Sequence, residues 1–441
     1  MDMSGRLRVL AICTEDPEVL LGGMGRHCRE LYRAMARRSD VEIDFLTAGP
    51  GELSKEYLGF TKHRWAEVVS QKPIELGLRP VLQADLQMAG RLMELIARGK
   101  RWDVIHAHEW SSIQLAHLAR TALGIPIVST MHLCMAALRI YDQPLWGDEG
   151  AKEDAGPEWS EIDLWVANQE GKLLIENDAL ILCSQAYVDI AREFYPLRDP
   201  ADHSKEQAFM LPKPISMIHN GINIEEWRPG AGDGERARAE HQLSSGRPIA
   251  LFVGRIATMK GIEYLLEALE DEDTGYQVVI AGEVNADVGK EEWYVTRMLR
   301  SIEGRHPKRL RWIGHQGDRQ LKDLYTLADC CIMPSTHEPF GIVGLEAMAM
   351  GCPLIATPIG GLKEIVVDND GQEYALIIPS HSSDAINVAL KQLREYPEDR
   401  AELTKLGLRR VLAFDWGRIA NQTVEVYRSA IEPSQEVAVC L

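Results

Sequence analysis

Two cations and two carboxylates carry the sharpest chemical signal in this chain. Arg255 and Lys260 lie in the stretch FVGRIATMKG, across a short loop from an apolar run that reads as a buried strand. Arginine offers a planar fork of donors and lysine a compact point charge. Such a pair suits a diphosphate, which needs fixed positive charge both to bind and to depart. The chain as a whole carries a formal charge of −18, so two cations at one strand end suggest local selection of charge rather than chance. Glu338 and Glu346 have seven residues between them in PSTHEPFGIVGLEAMAMGCPLIAT. Pro339 and Gly341 set up a turn, and IVGLEAMAMG reads as a helix stopped by Gly351. One carboxylate precedes the helix and the other lies inside it, so both can face one cleft. Backbone N–H groups around Gly341, Ile342 and Val343 are open at that helix start, where anions bind. Ionised carboxylates accept hydrogen bonds from hydroxyls, which suits a polyhydroxylated ligand. The plainer reading is that Glu346 only complements the helix dipole.

The histidines form a second group. His106 and His108 alternate along the run WDVIHAHEW and so share one face of a strand, with Glu109 next to them. No further ligand stands at a recognisable metal spacing, so no metal is expected. His132 ends the strand IPIVST and is expected to point into the cleft. A glycine loop, LLGGMGRH, precedes the first helix with Gly22, Gly23 and Gly25. It allows close backbone approach. Roughly eight residues separate it from the strand ending near Cys13, whereas a dinucleotide site has its glycines directly after the strand. That argues against an NAD-linked oxidoreductase.

Strand-like runs alternate with helical stretches, which favours parallel sheets. The first half offers LRVLAIC, VEIDFLT, WDVIHAH, IPIVST, ALILCS and ISMIHN; the second offers PIALFVG, YQVVIAG, LRWIGH, CCIMPS, PLIATP and YALIIP. Two sets of six predict two doubly wound α/β domains rather than one eight-fold barrel. The Gly-, Pro- and charge-rich stretch Trp227–Pro248 reads as an interdomain linker with a short helix. In open parallel sheets ligands bind beyond the carboxyl ends of strands, and most of the residues above fall there. An acidic insert, 141–165, carries Trp146, Trp159 and Trp165 and reads either as a solvated loop or as an acceptor-binding lid.

The 441 residues are 45% hydrophobic and 26% charged, which suits two substantial cores and excludes a disordered chain. The acidic balance argues against a nucleic-acid binder, which needs a basic face. No apolar run of about 18 residues appears, so no transmembrane segment is expected. Eight cysteines without a C-x-x-C pattern, and an N-terminus unlike a secretory signal, predict reduced thiols in a cytoplasmic protein.

Taken together these stretches resemble retaining glycosyltransferases of the GT-B fold, in particular family 4 and its glycogen and starch synthase relatives. GGMGRHCRELYRAMARR is similar to the family's glycine loop and first helix, IHAHEW to its HAHDW, and IHNGINIEEWRP to its PNGID segment. FVGRIATMKG resembles GRL-x3-KG, and EPFGIVGLE matches E-x7-E. The tail FDWGRIANQTVEVY resembles the family's terminal helix. LGGMGRH departs from the KTGGL of typical bacterial glycogen synthases.

The resemblance implies two Rossmann-like domains facing a central cleft. Residues 1–228 would bind the acceptor and 229–410 the nucleotide sugar, while 411–441 would cross back to the first domain. Arg255 and Lys260 would hold the diphosphate and stabilise it as leaving group. Glu338 would contact the transferred sugar and Glu346 the ribose. Backbone at Phe340, Gly341 and Ile342 would hold sugar and phosphate, with Gly23 approaching the phosphates from the other domain. His132 would stand near the sugar on the acceptor side, with His108 and Glu109 beside it. The implied reaction is metal-independent, cofactor-free transfer of a hexosyl group, with retention, to a small-molecule or glycan hydroxyl. UDP-glucose or UDP-N-acetylglucosamine is the expected donor. Another GT-B enzyme, such as a sugar-nucleotide epimerase, or a glucan-extending synthase is the alternative.

Overall fold

The apolar runs build two open sheets, in a computed structural model that describes residues 5–18, 23–48, 54–64, 78–134, 161–194, 214–284 and 290–432. The chain divides into two compact units, 1–220 with 416–441, and 221–415. The stretch expected as a linker, Trp227–Pro248, lies wholly inside the second unit. Its helix Gly234–Glu240 is capped by Asp233, whose side chain accepts from Arg236 N at 3.1 Å. Arg236 then forks onto Asp323 at 2.7 and 2.6 Å, which ties the segment to the helix Asp318–Leu327.

In the first unit the strands are β1 (Leu7–Ile12), β2 (Val41–Thr47), β3 (Ser54–Tyr57), β4 (Phe60–Arg64), β5 (Val104–His108), β6 (Ile127–Met131), β7 (Ala179–Leu182) and β8 (Ile215–Met217). Their order is β3-β4-β2-β1-β5-β6-β7-β8. All pairs are parallel except β3 with β4. Strands buried on both faces need continuous apolar sequence, which is why β1, β5, β6 and β7 were legible. β3 and β4 correct the count of six. They carry no apolar run, and a two-residue turn at Leu58 (φ 49°) and Gly59 (φ 92°) joins them. An ion pair and a hydrogen bond stabilise β4: the fully buried Lys62 meets Asp16 at 3.0 Å, and His63 Nε2 lies 2.8 Å from Asp44 Oδ1.

The C-terminal helix Trp416–Ile431 returns to this unit and packs on the helix Gly23–Ala36. Trp416, Ile419, Val424 and Tyr427 are buried in the same core as Val9, Leu31 and Phe45. Burying four such side chains contributes about 6–12 kcal/mol at ~1.5–3 kcal/mol each. That is comparable to the whole stability of a domain. A chain ending at Asp415 is therefore expected to lose the cooperative unfolding of the first unit. Calorimetry checks this, and a first-unit transition within a few degrees of the full chain's would contradict it.

The second unit has β9 (Ile249–Val253), β10 (Gln277–Ala281), β11 (Leu310–Gly314), β12 (Cys330–Met333), β13 (Leu354–Ala356) and β14 (Leu376–Ile377), in the order β11-β10-β9-β12-β13-β14, all parallel. These are the six strands expected there. Strand order reverses direction between β1 and β5 in one sheet and between β9 and β12 in the other. At such switch points the loops beyond the carboxyl ends diverge and leave a crevice. Both groups of chemical residues lie there. Among the described residues, no helix is long and apolar enough to cross a membrane.

Candidate functional site

The second unit's switch point assembles the cations and carboxylates. β9 delivers Arg255 and, after a single turn at Thr258–Lys260, Lys260. Gly261 follows with φ +62°, and a Cβ there would fall 1.9 Å from Pro334 O. Only glycine lets the β9 loop lie this close to the loop after β12. Met259 O then accepts from Thr336 N at 3.0 Å and His337 N at 3.1 Å, fastening the two loops. The result is that Lys260 Nζ donates to Glu338 Oε2 at 2.6 Å, and Ser335 Oγ donates to the same oxygen at 3.3 Å.

Glu338 is 5% exposed. Lysine has three donors, so one can serve Glu338 while two remain for an anion. Arg255 is exposed and rests its guanidinium 3.8 Å from Met259 Sδ. The helix Ile342–Ala349 begins directly after Gly341 (φ +100°). Its first N–H groups have no partner within the helix. Phe340 is buried against Phe414, with ring centroids 6.0 Å apart. Glu346 is placed differently from Glu338. It is buried at 2% exposure and accepts from Tyr325 Oη at 3.1 Å. Burial, and then the neighbouring Glu346, push the Tyr325 phenol well up. Burial pushes His337 down from its ordinary value. Tyr325 and Ser335 were missed in the sequence, because neither stands at a spacing that announces its partner.

The first unit's switch point gathers histidines. β5 places His106 and His108 on one face, with ring centroids 4.1 Å apart. Tyr32 Oη lies 2.8 Å from His106 Nδ1 and 2.5 Å from His108 Nε2. Tyr427 Oη, from the C-terminal helix, reaches His106 Nδ1 at 2.6 Å, and His106 Nε2 meets Thr130 Oγ1 at 2.7 Å. His132, at the end of β6, stacks on His108, with Nε2 3.1 Å from His108 Nδ1. His27, from the helix Gly23–Ala36, joins them with its ring centroid 4.4 Å from that of His132. Ring nitrogens of His27, His108 and His132 lie within 4.8 Å of one another, so these three residues could hold a metal ion. His27 carried no sequence signal: a lone histidine on a helix declares nothing until the helix is docked.

Glu109 takes a role that spacing did not suggest. At φ +63° it turns back, and its Oε1 accepts from the N–H groups of His132 and Leu133, the latter at 2.7 Å. It thereby fixes the end of β6 that carries His132. Burial is the main cause that raises its carboxyl to about 8; Glu170 adds to this and the two N–H bonds oppose it. Burial lowers His27 to about 4 and holds His106, His108 and His132 well below the usual imidazole range. Gly23 opens the first helix, and among the described residues an added Cβ there would meet no atom within 4 Å, while the N–H of Gly25 donates to Glu15 Oε2 at 2.7 Å. Gly22, Trp146 and Trp159 lie outside the described residues, and so does most of the acidic insert. Trp165 stands edge-on to Trp110 with centroids 5.5 Å apart.

Residues 22–202 match the family described as glycosyl transferase 4-like domain, and residues 233–410 the glycosyl transferases group 1. Alpha-maltose-1-phosphate synthase of Mycolicibacterium smegmatis is 26% identical over 96% of this chain and 99% of its own length. The fold is similar to that of sucrose-phosphate synthase from Thermosynechococcus elongatus, with TM-score 0.74 and 22% identity, covering 97% of this chain and 100% of that one. It is also similar to Anabaena HepE in complex with UDP and glucose, with TM-score 0.64 and 16% identity, covering 96% and 100%.

Proposed function

From the premise that this chain is a glycosyltransferase of the GT-B fold, we propose that it moves a hexosyl group from a nucleoside-diphosphate sugar to a hydroxyl acceptor, with retention at the anomeric carbon and without a divalent metal. UDP-glucose or UDP-N-acetylglucosamine is the donor proposed, a choice supported by the UDP and glucose in the HepE complex. The observation that carries the proposal is the 2.6 Å contact of Lys260 with Glu338 at a strand-order switch point, beside the start of the helix Ile342–Ala349.

In the transfer, the bond from the anomeric carbon to the diphosphate breaks and its electron pair stays on the phosphate oxygen. Lys260, Arg255 and the N–H groups at Gly341 and Ile342 face the charge that develops there. Preorganised donors of this kind are often the largest catalytic contribution. The acceptor hydroxyl attacks the face the diphosphate leaves, and its proton passes to the departing phosphate oxygen. Glu338 orients Lys260, and accepts a hydrogen bond from a sugar hydroxyl. Glu346 serves the ribose hydroxyls, in a position set by Tyr325. The acceptor reading belongs to the first unit: His132 faces the acceptor, His108 stacks behind it, and Glu109 fixes the strand end that carries it.

A panel of UDP-, ADP- and GDP-sugars tests the donor, since a ligand raises the unfolding temperature in proportion to occupancy. UDP-glucose or UDP-N-acetylglucosamine is expected to raise it, and the product made from an α-linked donor is expected to be α by proton NMR. No shift with any nucleotide sugar, or a β product, would overturn the proposal.

A further inference from the structure

We propose that the first unit holds a three-histidine site for a borderline divalent transition metal, Zn2+ foremost, made by His27, His108 and His132, and that its occupation blocks transfer. Three observations carry the site. First, ring nitrogens of all three lie within 4.8 Å of one another. His108 Nδ1 and His132 Nε2 are 3.1 Å apart. Two nitrogens sharing a tetrahedral ion at about 2.0–2.1 Å stand ~3.4 Å apart, so little movement admits the ion.

Second, His27 Nδ1 lies 2.7 Å from Asn220 Oδ1. An amide oxygen only accepts, so the proton sits on Nδ1 and Nε2 keeps a bare lone pair. His27 is 4% exposed, and among the described residues nothing donates to that lone pair. A buried acceptor without a partner is costly, and a metal ion satisfies it.

Third, the outer contacts already fit. Ligating histidines usually give their second ring N–H to an oxygen. Asn220 receives it from His27, and Tyr32 Oη stands 2.5 Å from His108 Nε2 to receive it from His108. Three protein nitrogens leave a fourth position open to water, as in exchangeable rather than closed sites. Binding moves the proton between His108 Nδ1 and His132 Nε2 to the other ring nitrogen of His132, Nδ1, so that both rings ligate as neutral imidazoles. A metal on His132 Nε2 withdraws that nitrogen from the acceptor; this consequence alone rests on the function proposed above.

Zn2+ titrated calorimetrically into the chelator-stripped full chain is expected to bind at one tight site. Binding there should weaken by about 100-fold or more in His27→Gln. Co2+ in the same site is expected to give the visible absorption of a tetrahedral ion. Equal zinc uptake by the wild type and by a folded His27→Gln chain, or none by either, overturns the site. If His27→Gln fails to unfold cooperatively, His132→Gln, at a half-buried strand end, decides by the same readout. Chelator treatment is expected to leave turnover intact, and added Zn2+ to abolish it. Zinc bound through these histidines with turnover unchanged overturns the blocking and the role of His132, but not the site.

Discussion

Lys260→Ala is expected to lower kcat/KM for transfer from the nucleotide sugar by about 10²–10³, while unfolding temperature changes little. The size follows from losing one preorganised donor to a developing oxyanion, ~3–4 kcal/mol of barrier. The fold is expected to survive because Lys260 is partly exposed at a loop end, and the turn holding it is fastened by Met259 O rather than by its own side chain. The loss should fall mainly on kcat, since charge on the leaving diphosphate is greatest at bond cleavage. Steady-state kinetics checks this. A loss confined to KM would make Lys260 a ground-state clamp, and a near-normal kcat/KM would remove it from the mechanism.

Glu338→Gln is expected to cost about 10²-fold in the same measurement, and Glu338→Ala more. Glutamine keeps the oxygen that accepts from Lys260 and from a sugar hydroxyl, but loses the charge that holds the ammonium. Residues acting as a unit are non-additive. The double variant Lys260→Ala/Glu338→Gln is therefore expected to be little worse than Lys260→Ala alone. If the losses instead multiply, the 2.6 Å contact is incidental and each residue acts by itself.

The strands β9, β12 and β13 were legible because each is an unbroken apolar run, and a strand buried on both faces permits nothing else. β3 and β4 were not, because their buried members include Lys62, His63 and Arg64. Those polar groups are tolerable inside only through partners on other segments: Asp16 and Glu18, beyond β1, and Asp44, on β2. Arg255, Lys260 and Glu338 could be singled out by type and spacing, since strand ends are where chemistry gathers. Glu346 had the right spacing, yet its partner Tyr325 lies on another helix and left no local trace. Glu109 was expected on the acceptor side beside His108; a positive-φ backbone makes it the clasp on His132.

By itself, the sequence determined that the chain forms two α/β units with parallel strands, that a cation pair and one carboxylate, Glu338, follow strand ends, and that a second carboxylate lies on the next helix. It could do so because apolar periodicity and loop chemistry are local. Only the tertiary structure decided which polar atoms meet: Lys260 with Glu338, Tyr427 with His106, and His27 with His108 and His132. Those meetings depend on strand order, on the return of the last helix, and on Gly261 letting two distant loops touch. Burial then sets the chemistry of each group, and no window of neighbouring residues specifies burial.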